Sequence, residues 1–139
     1  MIEISFIELL RVIADTGLLI LTWLVQLVIY PSFLYYSKKD FLIWHKPYTS
    51  RMTIVVMPLM LLQIGVACWQ VYFDFNHFHL LYFLLVISTW AITFIKAIPL
   101  HAALEKNPER ITIQQLIKVH TWRTVVWSLI FGIGVWKLF

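Results

Sequence analysis

Long uncharged stretches dominate the pattern of polar and apolar residues along this chain. No residue between Asp15 and Lys38 is charged, and the same holds between Arg51 and Asp74. A third stretch, residues 80–95, reads LLYFLLVISTWAITFI and is also free of charge. A helix that spans a membrane needs about 20 predominantly apolar residues. Each of these three stretches is therefore predicted to form a membrane-spanning helix.

A fourth apolar stretch runs from Leu116 to the end of the chain. It is weaker than the others because Lys118, His120 and Arg123 lie in its first two turns. We predict that it also spans the membrane. The expected spans are residues 12–36, 45–73, 79–104 and 115–138.

The composition agrees with a membrane protein. Of the 139 residues, 61% are hydrophobic and 13% are charged, whereas soluble domains average about 25% charged residues. The length allows a single domain, here a transmembrane domain over residues 1–139. Cys68 is the only cysteine, which excludes an intrachain disulfide and a four-cysteine zinc site.

Short connectors between consecutive spans make neighbouring helices antiparallel. The predicted fold class is therefore all-α, an integral membrane protein with an up-down bundle of four transmembrane helices. Nine of the eleven Lys and Arg residues fall at the end opposite the chain termini. By the positive-inside rule that end is cytoplasmic and both termini are non-cytoplasmic. The membrane is expected to be a bacterial inner membrane, and the basic excess requires no nucleic-acid partner.

Three histidines meet at the cytoplasmic end of this predicted bundle. His45 begins the second helix, His101 ends the third, and His120 begins the fourth. Three imidazoles can bind iron, copper or zinc and leave a coordination position open. Glu105, four residues after His101, is expected to complete the metal site or orient a ligand. The alternative is that all three are interfacial histidines at the level of the lipid headgroups.

A second set of polar residues is predicted to surround the histidines. Tyr48 and Met52 follow His45 by three and seven residues, on one helical face. Arg123 and Trp127 follow His120 at the same spacings. Lys96 precedes His101 by about one and a half turns. Together with Arg51, these cations would form a pocket for a phenolate, an enolate or a carboxylate. Each could instead extend to the headgroups as a single snorkelling side chain.

Other polar residues within the predicted spans are expected to have structural roles. Arg11 and Asp15, four residues apart, are predicted to pair on the outer face of the first helix. Gln26 is expected to form a hydrogen bond between helices.

The segments Ile98–Leu104 and His120–Thr124 resemble the two signatures of small four-helix membrane proteins of the anthrone oxygenase type. There the third helix ends in a Pro-Leu-Asn-x-x-Leu pattern, and the fourth begins near Asn-x-x-Arg-Thr. The matching residues are Pro99, Leu100, Leu104, Arg123 and Thr124.

This chain has His101 and His120 where the patterns of that family have Asn. The resemblance implies a four-helix fold and an oxygenase acting on an aromatic or polyketide-like substrate. The two histidines favour a metal centre at the same location over cofactor-free oxygenation.

A more distant similarity is to the small bacterial protoporphyrinogen oxidase, another four-helix membrane protein associated with haem. Its third helix carries a lysine comparable to Lys96. Its functional histidine lies in the first helix, where this chain has none.

The leading functional prediction is a membrane-embedded, metal-dependent oxidoreductase or oxygenase. Its transition metal is bound by His45, His101 and His120, and Tyr48, Lys96 and Arg123 act on a lipophilic substrate that enters from the lipid bilayer. One alternative is a haem held between two of the histidines. Another is a non-enzymatic transporter or assembly subunit, which would work as a homo-oligomer because four helices leave little room for a pore.

Overall fold

The computed structural model describes residues 5–138, and every regular element in that part of the chain is helical. Four long helices follow one another: α1 (Phe6–Tyr35), α2 (Lys38–Phe73), α3 (His77–Lys106) and α4 (Arg110–Trp136). Helices α1, α2 and α3 are long and apolar enough to cross a membrane. These are the features of an integral membrane protein.

Polar caps explain where α1, α2 and α3 begin. The Ser5 side chain accepts a hydrogen bond from the Glu8 backbone N–H, and Glu8 reaches back to Ser5 in a capping box. Ser37 caps α2 and Asn76 caps α3 through the same kind of bond. The helices therefore extend beyond the predicted spans at these ends, because polar terminal turns need not lie within the hydrocarbon.

Helices α1 and α3 each contain one wider, π-helical turn. These turns cover Val25–Ile29 and Thr93–Ala97, and each is followed within two residues by a proline, Pro31 or Pro99. A proline lacks the N–H that a regular helix uses, and a π turn adds one residue to the local repeat. As a result the buried face passes from Val25 directly to Tyr30, five residues later.

The core consists of two groups of buried side chains. Helix α1 packs against α2 and α4, and α3 packs against the same two helices. One group contains Val25, Tyr30, Phe33, Phe41, Tyr48, Leu104, Ile113 and Leu116. The other contains Leu18, Met60, Ala67, Tyr82, Val86, Trp127 and Ile130. Large apolar side chains also cover the outside, such as Ile54 at 74% exposure and Ile20 at 62%, as expected for a surface in contact with lipid.

The predicted position of Arg11 and Asp15 on the outer face of α1 is wrong. Arg11 is 1% exposed and Asp15 is 3% exposed, so both face the core. The Asp15 carboxylate accepts hydrogen bonds from Gln63 and Tyr82 instead. The physical reason is that lipid offers no hydrogen bonds, which drives polar side chains inward. The interhelical bond predicted for Gln26 is confirmed, since its amide donates to Thr121 of α4 at 3.0 Å.

Candidate functional site

A cavity of about 450 Å³ lies among the four helices. Such a volume is typical of a site for a small organic molecule. Most of its wall is apolar and includes Leu18, Met52, Met60, Phe94 and Trp127. Its polar end is formed by Tyr30, Tyr48, His101, His120 and Arg123. We call these five residues the polar end of the cavity.

The cavity opens between α2 and α3. Of the residues that line it, Thr53 on α2 and Phe94, Ile98 and Ala102 on α3 are exposed on the outside of the protein. The surrounding surface of both helices is apolar, with Ile54 and Ile95 among its exposed residues. A molecule dissolved in lipid would therefore meet this opening without crossing water.

His45 and His101 form a hydrogen-bonded pair. His45 Nε2 lies 2.9 Å from His101 Nδ1, and the two rings are stacked at 5.1 Å. The other ring nitrogen of His101, Nε2, shares a hydrogen bond of 2.9 Å with the Tyr30 hydroxyl. On the far side of the pair, His45 Nδ1 lies 4.0 Å from a carboxylate oxygen of Glu105. These contacts link Glu105, whose side chain is 42% exposed, with the polar end of the cavity.

His120 faces a different partner. Its Nε2 lies 3.1 Å from the backbone carbonyl oxygen of Thr22 and 3.4 Å from the hydroxyl of the same residue. Its ring packs against the ring of Tyr30, with centroids 4.8 Å apart. Tyr30 therefore stands between His120 and the pair of His45 and His101.

The structure brings the predicted metal ligands into one region without arranging them around one point. Among residues 5–138, no group of three or more His, Cys, Asp and Glu side chains is placed to hold a metal ion. Both ring nitrogens of His101 contact protein groups, and His120 directs Nε2 at Thr22. These side chains would have to turn before they could bind a metal together, so the three-histidine centre stays a prediction.

Arg123 supplies the positive charge of the cavity. It is 8% exposed, and its guanidinium stacks on the Trp127 ring at 4.8 Å. In the described part of the chain, the contacts within 4.0 Å between a basic and an acidic side chain are those of His45 with Glu105 and of His79 with Asp74, so Arg123 has no carboxylate partner there. A buried cation without a counter-ion is costly. The arrangement therefore favours a ligand that carries an anionic or strongly polar oxygen.

The other two predicted cations do not reach the cavity. Lys96 is exposed on the outer face of α3 and is absent from the cavity wall. The π turn is the reason: a regular repeat from Thr89 would bring Lys96 inward, but the added residue places Ala97 there instead. Arg51 is exposed and stacks on Trp44 at 5.6 Å.

Tyr48 is buried and lines the cavity. The sequence predicts no place in the site for Tyr30, and it places Trp127 on the helical face of His120 and Arg123 without a role of its own. The sequence did contain a signal for Tyr30, because a tyrosine hydroxyl within an apolar span has no water to bond and needs a hydrogen-bonding partner in the protein. Trp127 lies four residues after Arg123 on the same helical face, which was a signal for its role.

Comparison with known proteins adds no further assignment, since no protein family, curated protein or solved structure matches the chain. The similarity to anthrone oxygenases therefore stays a prediction.

Proposed function

We propose that the chain binds a lipophilic molecule with an acidic oxygen, such as a phenol, an enol or a carboxylic acid, and acts on it within the membrane. The observation that carries this proposal is the position of Arg123. Its guanidinium is buried and has no carboxylate within salt-bridge distance in the described part of the chain. It lies at the polar end of a cavity whose wall is mostly apolar and also includes the half-exposed Glu105. Such a site favours a ligand with an anionic head and an apolar body.

The polar end of the cavity supports chemistry on such a ligand. Arg123 would hold the developing negative charge on the ligand oxygen. The hydroxyls of Tyr30 and Tyr48 line the same space and can donate hydrogen bonds to that oxygen. His101 Nε2 contacts the Tyr30 hydroxyl, so a proton from the ligand would reach His101 through that hydroxyl, with His45 hydrogen-bonded to the other ring nitrogen of His101.

The proposed reaction class follows from these roles. Removing a proton from a phenol or an enol gives an electron-rich anion, which is readily oxidised. We therefore retain the oxidoreductase or oxygenase class as the proposed activity, with dioxygen or another electron acceptor as the second reactant. A transition metal bound by His45, His101 and His120 would assist oxidation, but the proposal does not depend on it.

We further propose that α4 is the fourth span and that the four helices form an up-down bundle with both chain termini outside the cytoplasm. The support is that α4 has 27 residues and packs against both α1 and α3. The charged residues of α4 also agree with a membrane span, because Arg123 is buried and Lys118 is exposed near the basic end of the bundle. A bacterial cytoplasmic membrane is the proposed location.

The binding proposal is tested with two probes of nearly equal shape. One is 2-naphthoate, a lipophilic carboxylate, and the other is its neutral analogue 2-naphthamide. Binding to the protein in lipid nanodiscs is measured by equilibrium dialysis, with empty nanodiscs as the blank. Since a hydrogen bond to a charged group contributes about 1.5–3 kcal/mol, Arg123→Gln should weaken 2-naphthoate binding by about ten-fold to a hundred-fold. Binding of 2-naphthamide should change much less.

Lys96→Gln is the matched control because it also removes one positive charge, but from the outer surface of α3. Its affinity for both probes should equal that of the wild-type protein. An equal loss of 2-naphthoate binding in both variants would mean that general charge, and not the cavity, attracts the anion.

A further inference from the structure

A second cluster of buried polar side chains lies behind Trp127, outside the polar end of the cavity. The carboxylate oxygen Oδ1 of Asp15 accepts two hydrogen bonds of 2.7 Å, one from the Gln63 side-chain amide and one from the Tyr82 hydroxyl. These three residues come from α1, α2 and α3, and none is more than 3% exposed. The carboxylate therefore fixes the amide of Gln63 with its NH₂ group toward Asp15.

This orientation leaves the amide oxygen of Gln63 to accept a hydrogen bond from elsewhere. Trp127 Nε1 donates to it at 3.3 Å. Trp127 is 2% exposed, and its ring lines the cavity. The hydrogen bond therefore holds one edge of the indole while the face of the ring remains available to the site.

That face of the indole carries the guanidinium of Arg123. The distance from Arg123 Cζ to the ring is 4.8 Å, within the range of a cation–π interaction. Arg123 Nε has no hydrogen-bond partner in the described part of the chain. The Trp127 ring is thus a contact that orients Arg123, which is the one arginine or lysine among the described residues that line the cavity.

We propose that Asp15 and Gln63 are positioning residues that set the preference of the cavity for an anion. They fix the position of the Trp127 ring. The ring in turn orients the Arg123 guanidinium toward the ligand oxygen. This inference rests on the proposed function, because it assumes that Arg123 recognises an anionic ligand. Neither Asp15 nor Gln63 lines the cavity itself, so both act on it through Trp127.

The test compares two buried glutamines of the same helix. Gln63 and Gln70 are 0% and 4% exposed, and both lie on α2, but only Gln63 joins Asp15 to Trp127. The measured quantity is the ratio of affinities for 2-naphthoate and 2-naphthamide. Gln63→Leu should lower this ratio by about three-fold or more, as is typical for residues that act through a shared contact. Gln70→Leu should leave the ratio unchanged.

Trp127→Phe separates this role from general packing. It keeps an aromatic ring but removes the N–H that donates a hydrogen bond to Gln63. The ratio of the two affinities should therefore also fall in this variant. Adding Gln63→Leu to Trp127→Phe should then cause no further fall, because the bond between the two residues is already absent. Trp127→Phe also carries the test if Gln63→Leu does not fold.

The possible outcomes separate the two proposals. A ratio that falls in Arg123→Gln but not in Gln63→Leu or Trp127→Phe overturns this inference and leaves the proposed function standing. An equal fall in Gln63→Leu and Gln70→Leu also overturns it, since any buried glutamine would then have the same effect. A ratio that is unchanged even in Arg123→Gln overturns both proposals.

Discussion

At the scale of single residues, the polar side chains of this protein follow the rule of a lipid environment. Arg11 and Asp15 lie four residues apart, a spacing that in a soluble helix indicates an exposed ion pair. Here both are buried, and the guanidinium packs near the rings of Phe78 and Tyr82 at 5.6 and 5.7 Å. For a chain of this composition, buried polar residues are the expected case.

Gly134 makes room for this buried pair. A Cβ atom at position 134 would lie 2.6 Å from Arg11 Nη1 and 3.3 Å from Asp15 Oδ2. Arg11 is 1% exposed, so its guanidinium has no open space to move into. Compared with a glycine-to-alanine change at an open helix position, Gly134→Ala should therefore lower the free energy of unfolding by about 1–3 kcal/mol, the usual cost of overpacking. The measurement is unfolding of the purified protein in mixed micelles with increasing denaturing detergent.

Gly132 provides the control for this prediction. A Cβ there would meet nothing within 4 Å. Gly132→Ala should raise the free energy of unfolding by about 0.5–1 kcal/mol, because alanine is the better helix former. If Gly134→Ala stabilised the protein as much as Gly132→Ala, the close approach of Arg11 would be refuted.

The sequence predicted part of the site residue by residue. It placed His45, His101, Tyr48 and Arg123 in one region, and the structure brings them there because helical spacing fixes which residues share a face. It did not predict that His120 would turn to Thr22. That direction depends on the depth at which α4 packs on α1, which no local pattern encodes.

At the scale of helices, the π turns decide which residues face the cavity. The sequence places Lys96 in the polar set around the histidines, about one and a half turns before His101. A regular repeat from Thr89 would also bring it inward. The turn at Thr93–Ala97 shifts the repeat by one residue, so that Ala97 is 2% exposed and lines the cavity. A pattern count assumes 3.6 residues per turn and cannot detect such a shift.

Two neighbouring substitutions test this register. Ala97→Leu adds three carbon atoms to the cavity wall and should weaken binding of both 2-naphthoate and 2-naphthamide by about ten-fold or more, since overpacking costs about 1–3 kcal/mol. Lys96→Leu should leave both affinities unchanged, because its side chain lies on the outside. The opposite pattern, with Lys96→Leu blocking binding, would show that α3 continues as a regular helix.

At the scale of the whole molecule, the predicted all-helical membrane character is confirmed for residues 5–138. The reason is that length and charge-free composition alone determine whether a helix can cross hydrocarbon. For α4 the sequence is less informative, because the helix carries charges that only packing can bury. Its place as a fourth span depends on tertiary contacts and stays part of the proposal.

The proposed topology is tested by labelling single cysteines from one side of the membrane. In a Cys68→Ala background, cysteine replaces Lys39, Phe75, Lys106 or Lys137, which are all exposed at helix ends. In intact cells a membrane-impermeant maleimide should label positions 75 and 137, and positions 39 and 106 only after the membrane is opened. Labelling of positions 75 and 106 from the same side would contradict the up-down arrangement.

The most direct test of the central claim is the ratio of 2-naphthoate to 2-naphthamide affinity in the wild-type protein and in Arg123→Gln, both in lipid nanodiscs. We expect the wild-type protein to prefer the anion. In Arg123→Gln the ratio should be lower by about ten-fold or more, the effect of one charge-assisted hydrogen bond. The same ratio in both proteins would contradict the claim that Arg123 recognises a lipophilic anion in this cavity.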